Sequence, residues 1–379
     1  MAAFFVGACG ESTGGGTAGR GGADAGGGAG GAGTGGKGSG GAGTAGSGGA
    51  GVAGNGGGGG ATGGTTGSAG KSGGPDARDG GATAGDTTGG GGDGQLTPAR
   101  GLSAGCGKAA PAGDSSANFL KHDIDVTGVD PAFIAAHPAN VAGYTWSKRN
   151  YFLRLPAGYD MQKGYAVHFG GGGCGNTNGM SGENGAFAVP GTAATGAIQV
   201  GLSYVYDNGA CFKDEYVNTP ELPFFDAVMK ELDANYCFDK AKVFIAGYSS
   251  GAWEAYTLAF ARGGVIRGIA TAAGGLRKDR PTPSRIPFAA ILLTGAGDTS
   301  NPITGATGSA LARDLVLQTN GCVGTATVDW PAMPSCKQYT GCPAAYPVIW
   351  CTPDGGHTDG GGGYRAVISN FWDAVPPAP

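Results

Sequence analysis

The chain has 379 residues, of which 84 are glycine, about three times the share of an ordinary protein. Its net charge is −4, from 24 basic and 28 acidic side chains, and it has no basic cluster, so nucleic acid is not an expected partner. It contains no run of about 20 apolar residues, which argues against a membrane-spanning helix.

Half of the glycines, 42 in number, lie between residues 11 and 94. No aromatic residue occurs between positions 6 and 118, so this stretch has little apolar surface with which to offset the entropy of ordering its backbone. The composition predicts a disordered, glycine-rich tether over residues 10–98. The remaining residues, 99–379, number about 280 and are enough for one large domain.

The first nine residues are an apolar stretch, Ala3–Val6, followed by two small residues and Cys9. This pattern resembles the lipobox of bacterial lipoproteins, whose cysteine is acylated after cleavage. A complete signal peptide has a basic start and a longer apolar run, so residues 1–9 are interpreted as its remnant. We expect an exported extracellular or cell-surface protein, an outer-membrane lipoprotein if Cys9 carries lipid, with no other membrane contact. The alternative is that Cys9 is a cysteine without a function in a flexible N-terminal segment.

Eight further cysteines lie in the predicted domain. They are Cys106, Cys174, Cys211, Cys237, Cys322, Cys336, Cys342 and Cys351. Their even number fits up to four disulfides in an oxidising compartment. A zinc site is disfavoured because no C-x-x-C pair is present. The spacing does not select one pairing among the 105 that eight cysteines allow.

Short apolar strands alternate with helical patterns along the domain. Strands are predicted at 151–155, 165–169, 197–204, 243–246, 269–273, 288–293 and 346–350, and helices at 223–236, 252–261, 309–318 and 364–374. Alternation of this kind is typical of an α/β fold with a mainly parallel central sheet and helices on both faces. Ligands of such sheets bind at the carboxyl ends of the strands.

Residues 247–251 spell G-x-S-x-G around Ser249, the pattern of a nucleophile elbow. The same string occurs around Ser12, Ser72 and Ser103, so the letters alone carry little weight in this chain. Only Ser249 follows a predicted buried strand and precedes a predicted helix. We therefore predict Ser249 as a nucleophile, with the backbone N–H of Ser250 facing the oxyanion. The alternative is a turn that needs glycine only for packing.

A serine nucleophile needs a base, and His357 is the only histidine that follows Ser249. In a hydrolase of this fold the acid lies between the two, after a strand. Asp298, which follows the apolar run 289–293, fits that position and would orient the imidazole. Asp354, three residues before His357, is the rival, and its spacing better suits a supporting role.

A glycine-rich loop, Gly170–Gly175, follows the strand predicted at 165–169. Bare backbone of this kind can approach a substrate oxygen, so Gly173 and Cys174 are predicted to supply the second oxyanion donor. No G-K-[ST] follows, which disfavours phosphate binding. Four aromatic residues are candidates for an acyl or sugar site, with core packing as the equal alternative: Trp253, Trp350, Tyr206 and Tyr248.

Together these residues resemble the secreted α/β-hydrolases that include polyhydroxybutyrate depolymerases and feruloyl or acetyl-xylan esterases. The resemblance runs from about residue 105 to 373. It rests on the segments 104–108, 155–159, 173–175, 236–249, 320–322, 339–342 and 347–357. It implies ester hydrolysis without a metal or organic cofactor, through Ser249, His357 and Asp298.

The chain departs from the family at Gly172, where the family's His-Gly-Cys-Gly has histidine. This departure bears on the rigidity of the loop and on substrate preference. The elbow Gly-Tyr-Ser-Ser-Gly-Ala-Trp is nearer to feruloyl-esterase-like members than to polyester depolymerases. The sequence thus predicts an exported serine esterase that cleaves polymer-linked esters. An inactive surface-displayed binding protein and an acyltransferase are the alternatives.

Overall fold

The computed structural model describes residues 100–139, 143–174, 196–203, 205, 211–212, 219–276 and 286–376. The predicted signal remnant 1–9, with Cys9, and the predicted tether 10–98 lie outside these residues, and so does Tyr206.

Ten strands form one sheet in the described residues. They are β1 (Leu120–Asp125), β2 (Lys148–Arg154), β3 (Tyr165–Gly171), β4 (Ala197–Leu202), β5 (Phe238–Tyr248), β6 (Gly268–Ala272), β7 (Ala289–Leu293), β8 (Thr327–Asp329), β9 (Cys336–Tyr339) and β10 (Val348–Cys351). The order across the sheet is β1-β2-β4-β3-β5-β6-β7-β10-β9-β8. The six central strands, from β4 to β10, run parallel, and the strands at both edges pair antiparallel.

Five helices accompany these strands in the same residues: α1 (Pro131–Ala136), α2 (Glu221–Asn235), α3 (Ser250–Ala261), α4 (Ser309–Thr319) and α5 (Gly361–Ala374). Within the described ranges, none of them is both long and apolar enough to cross a membrane.

The central strands are buried on both faces because helices cover both. Alternate residues of β5 belong to different cores. Val243 and Ile245 pack in the cluster that includes side chains of α2, α3 and α4, whereas Phe244 and Ala246 pack in the cluster that includes those of α5. The predicted α/β fold with helices on both faces of a mainly parallel sheet is confirmed.

Four disulfides join the eight cysteines of the described residues. The pairs are Cys106–Cys237, Cys174–Cys211, Cys322–Cys342 and Cys336–Cys351. The last two brace the antiparallel edge around β9, and the first ties residue 106 to the start of β5. Cys174–Cys211 joins the loop after β3 to residue 211, and Cys336–Cys351 reaches the carboxyl end of β10.

Candidate active site

Ser249 lies on a sharp turn between β5 and α3. Its φ is 53° and its ψ is −116°, a conformation that a residue with a side chain rarely adopts. The turn is held because the Ser249 N–H donates to the carbonyl of Ala272, at the end of β6. Strain of this kind is typical of functional turns, and it lifts the serine side chain clear of the sheet edge.

The glycines around Ser249 are required by close backbone contacts. A Cβ at Gly247 would lie 2.0 Å from the carbonyl oxygen of Gly251. A Cβ at Gly251 would lie 2.1 Å from the carbonyl oxygen of Gly171, at the end of β3. The start of α3 therefore packs directly on the backbone of β3 and β5, which only glycine permits.

Asp298 and His357 follow two neighbouring parallel strands, β7 and β10. Beyond these strands the two loops continue to pair, since the N–H groups of residues 294, 296 and 297 donate to the carbonyls of residues 351, 353 and 355. A Cβ at Gly295 would lie 2.1 Å from the carbonyl oxygen of Gly356. This close pairing fixes the histidine loop against the acid loop.

The Asp298 carboxylate is buried and fully engaged. Its Oδ1 accepts the backbone N–H groups of Ser300 at 2.9 Å and Asn301 at 2.8 Å, and its Oδ2 lies 3.0 Å from His357 Nδ1. Hydrogen bonds from two backbone N–H groups and from the imidazole fix the orientation of the carboxylate. The rival carboxylate, Asp354, is exposed to solvent.

His357 Nε2 lies 3.0 Å from Ser249 Oγ. The structure therefore brings together the three side chains predicted from the sequence, with the imidazole bonded to Ser249 on one side and to Asp298 on the other. An imidazole held in this way can take a proton from a hydroxyl, and the buried carboxylate can stabilise the resulting imidazolium.

Ser250 is the first residue of α3, so its N–H belongs to the helix N-terminus. The three N–H groups after it are bonded: that of Gly251 to the carbonyl of Gly172, and those of Ala252 and Trp253 to the carbonyl of Ser249. Gly172 thus holds its loop against the helix through its own backbone carbonyl.

The glycine loop after β3 runs beside Ser249. A Cβ at Gly173 would lie 3.4 Å from the Cβ of Ser249. The next residue, Cys174, is bonded to Cys211, and the N–H of Phe212 donates to Ser250 Oγ at 2.9 Å. The loop and the segment at 211–212 therefore flank the nucleophile turn and are covalently joined.

Two of the predicted aromatic residues lie at the site. The Tyr248 ring is 5.2 Å from the imidazole of His357, and its hydroxyl donates a long hydrogen bond, 3.5 Å, to the His357 carbonyl. Burial, with Asp359 and Asp298 contributing, raises the pKa of Tyr248 above 10.0, so the phenol stays protonated. Trp253 lies in the first turn of α3, and its indole N–H donates a hydrogen bond to Asn301 Oδ1.

Trp350 is not at the surface of the site. Its side chain is buried in the core, with the Arg313 guanidinium 5.1 Å from its ring. Of the two interpretations of this residue, core packing is therefore the one that the structure supports. Tyr206 lies outside the described residues.

Ser103, at the one other described copy of the G-x-S-x-G string, has a structural role. Its hydroxyl donates to the carbonyl of Tyr236 and accepts the N–H of Phe238, so it anchors residue 103 beside the start of β5. Sequence reasoning missed Asn301, whose only signal is its place three residues after Asp298. In the described ranges, no three His, Cys, Asp or Glu side chains are grouped to hold a metal ion.

The parallel sheet, the helices on both faces and the serine on a strained strand-to-helix turn define the chain as an α/β-hydrolase. No family model matches it. Among solved structures, the acetyl xylan esterase from Aspergillus awamori has a TM-score of 0.45 and 12% identity, over 66% of this chain and 99% of that one.

Two curated relatives are more similar in sequence. The feruloyl esterase C of Emericella nidulans is 30% identical over 217 residues, which are 55% of this chain and 76% of the relative. The probable feruloyl esterase C of Aspergillus oryzae is 27% identical over 241 residues, 61% of this chain and 85% of the relative. The chain belongs to the feruloyl esterase type of α/β-hydrolases and is an ester hydrolase.

Proposed function

We propose that the chain hydrolyses carboxylic esters through a triad of Ser249, His357 and Asp298. The observation that carries the proposal is the imidazole of His357, whose two nitrogens lie 3.0 Å from Ser249 Oγ and 3.0 Å from Asp298 Oδ2. A hydroxyl is a poor nucleophile without such a base, and a base is imprecise without an orienting carboxylate.

The reaction has two halves. Ser249 Oγ attacks the ester carbonyl carbon while His357 Nε2 takes the hydroxyl proton, and the tetrahedral intermediate collapses as His357 returns that proton to the departing alcohol. This leaves an acyl group on Ser249. Water then attacks the acyl carbon, again losing its proton to His357, and the free acid leaves as Ser249 regains its hydrogen.

The oxyanion of each intermediate is stabilised by backbone donors. We assign the Ser250 N–H, at the N-terminus of α3, as the first donor. The second comes from Gly173 or Cys174, a proposal supported by the position of Gly173, where an added Cβ would lie 3.4 Å from the Cβ of Ser249. Glycine at 172 does not prevent this, because the Gly172 carbonyl bonds the N–H of Gly251.

The proposed substrates are esters linked to a plant polysaccharide, with feruloyl esters first. Support comes from the names of the relatives, which are feruloyl esterases, and from the Tyr248 ring beside His357, against which an aromatic acyl group can pack. Acetyl-xylan and polyhydroxybutyrate are the substrates against which this preference is measured.

The test uses Ser249→Ala. Removal of the nucleophile is expected to lower kcat on methyl ferulate and p-nitrophenyl acetate by at least about 10³-fold. The matched control is Ser103→Ala, which removes the serine of the other described G-x-S-x-G string and is expected to keep kcat. Full activity in Ser249→Ala would reject the triad, and an inactive wild-type enzyme would favour a binding protein on this fold.

The assay panel then ranks feruloylated arabinoxylan, acetyl-xylan and polyhydroxybutyrate by kcat/KM. Release of ferulate at the highest kcat/KM supports the proposed specificity. A preference for either of the other polymers would replace it while leaving the triad in place. Ester product formed with an added alcohol would instead indicate acyl transfer.

We further propose that residues 99–379 form an exported esterase domain, that residues 10–98 tether it, and that Cys9 carries lipid. The four disulfides support an oxidising compartment. Fractionation of cells that express the protein and its Cys9→Ser variant tests the anchor. Equal partition of both into the membrane fraction would contradict it.

A further inference from the structure

A side-chain hydrogen bond joins the nucleophile helix to the acid loop. The indole Nε1 of Trp253, the fourth residue of α3, donates to Asn301 Oδ1 at 2.7 Å. Asn301 is buried, with 9% of its surface exposed, and Trp253 is half-buried. A short bond between two shielded groups is worth more than one in solvent.

The backbone N–H groups of the same two residues also donate hydrogen bonds to residues of the proposed triad. The Asn301 N–H donates to Asp298 Oδ1 at 2.8 Å, and the Trp253 N–H donates to the Ser249 carbonyl at 3.2 Å. Because His357 bonds both Ser249 and Asp298, the hydrogen bonds form a closed ring that runs Ser249, His357, Asp298, Asn301, Trp253 and back to Ser249.

The hydrogen-bonded ring links two parts of the site that the sheet itself does not connect. Ser249 follows β5 and Asp298 follows β7, and β6 lies between these strands. The two strands are therefore about 10 Å apart, at about 4.8 Å for each strand spacing, and share no ladder hydrogen bonds. An indole is long enough to span much of this gap. It passes close to Gly275, after β6, where a Cβ would lie 3.2 Å from Trp253 Cζ2.

We propose that Trp253 and Asn301 are positioning residues that hold the acid loop at a fixed distance from the nucleophile turn. This inference rests on the proposed triad. It assigns to Trp253 a role different from lining the acyl or sugar site, since the polar edge of the indole is directed at Asn301. A displacement of the acid by a fraction of an ångström misaligns the imidazole, and errors of about 1 Å cost on the order of 100-fold in rate.

The test is Trp253→Phe, which keeps an aromatic ring and removes the N–H. The expected result is a 10- to 100-fold fall in kcat, with KM changed less than about twofold, and by the same factor on p-nitrophenyl acetate and methyl ferulate. The matched control is Trp372→Phe. Trp372 is buried, and its Nε1 has no hydrogen-bond partner among the described residues, so the same substitution there removes no bond and is expected to leave kcat unchanged.

If the Trp253 variant folds poorly, Asn301→Ala removes the same hydrogen bond from its other end through a change to a smaller side chain. It is expected to lower kcat to a similar degree, and the double variant is expected to be no worse than the poorer single one, because both remove the same link. Additive losses in the double variant would overturn the proposal.

Two other results would also overturn it. An unchanged kcat in both single variants would show that the link does not position the acid. A rise in KM for methyl ferulate alone would indicate that Trp253 contacts the substrate and does not position the acid. Failure of the triad itself is recognised separately, because Ser249→Ala would then retain activity.

Discussion

At Gly251 the chain tolerates no side chain, because the residue lies against the backbone of β3. A Cβ there would meet the carbonyl oxygen of Gly171 at 2.1 Å and its Cα at 2.8 Å. Backbone atoms cannot swing aside as a flexible side chain can, so the start of α3 would have to move away from β3. Such a movement would displace Ser249 and Ser250 together.

We therefore predict that Gly251→Ala lowers the free energy of unfolding by about 1–3 kcal/mol and abolishes most esterase activity in the protein that still folds. Gly363→Ala is the control. Gly363 lies in α5 with nothing within 4 Å of its added Cβ, and alanine there is expected to be neutral or to stabilise the helix by up to about 1 kcal/mol. Urea unfolding and p-nitrophenyl acetate hydrolysis measure the two effects. Equal stability of the two variants would contradict the packing argument.

The sequence was informative about the three side chains that meet at the site, because each follows a strand and the fold fixes their order along the chain. The carboxyl ends of neighbouring parallel strands lie on one edge, so Ser249, Asp298 and His357 could be selected before any coordinates. Asn301 could not be selected in this way, since its contact with Trp253 joins loops that are distant in the chain. Trp350 shows the same limit, because an aromatic residue near a strand end can face either the core or the site.

At the scale of elements, the apolar strands and amphipathic helices were predictable, and the polar edge strands were not. β1, with the sequence LKHDID, alternates but carries few apolar residues, and all three residues of β8 are exposed. Such strands form because a neighbour offers hydrogen-bonding partners, which a local pattern does not record. β5 likewise begins at Phe238, five residues before its apolar run, because Phe238 pairs with Tyr165 of β3 and Asp239 forms an isolated bridge with Leu102.

The Cys174–Cys211 disulfide is an element-scale constraint on the site. Cys174 lies in the loop that runs beside Ser249, and Cys211 precedes Phe212, whose N–H donates to Ser250 Oγ. Loss of this disulfide would release the covalent link between the two segments that flank the proposed oxyanion donors, and it would leave every residue of the triad in place.

We predict that the double variant Cys174→Ser, Cys211→Ser loses about tenfold or more in kcat, because loss of one oxyanion donor alone costs about 10²–10³ and partial misplacement costs less. The double variant Cys322→Ser, Cys342→Ser removes a disulfide away from the site and serves as the control. Both are expected to lose a few kcal/mol of stability, about 2–4 by the usual range. Comparable kcat in the two double variants, measured well below their unfolding temperatures, would contradict the prediction.

For the molecule as a whole, stability in acid is expected to depend on His168. This residue lies in β3, on the face covered by α5, with its ring 4.7 Å from that of Trp372 and 5.8 Å from that of Phe244. Neither ring nitrogen has a hydrogen-bond partner among the described residues. Burial lowers the pKa of His168 from 6.5 to about 3, so the folded protein holds the neutral imidazole.

The sign of the effect follows from the two pKa values. Above pH 6.5 the imidazole is neutral in both states and makes no pH-dependent contribution, whereas between pH 6.5 and about 3 only the unfolded chain takes up the proton, so acid favours unfolding. From pH 7.5 to pH 5.0 this one group should lower the free energy of unfolding by about 2 kcal/mol, at about 1.4 kcal/mol per pH unit once the pH is below 6.5. In His168→Leu that contribution is absent, and the buried polar ring is replaced by an apolar side chain that the aromatic neighbours can accept. Urea unfolding of both proteins at the two pH values measures the difference, and an equal loss of stability in both would show that His168 is not its source.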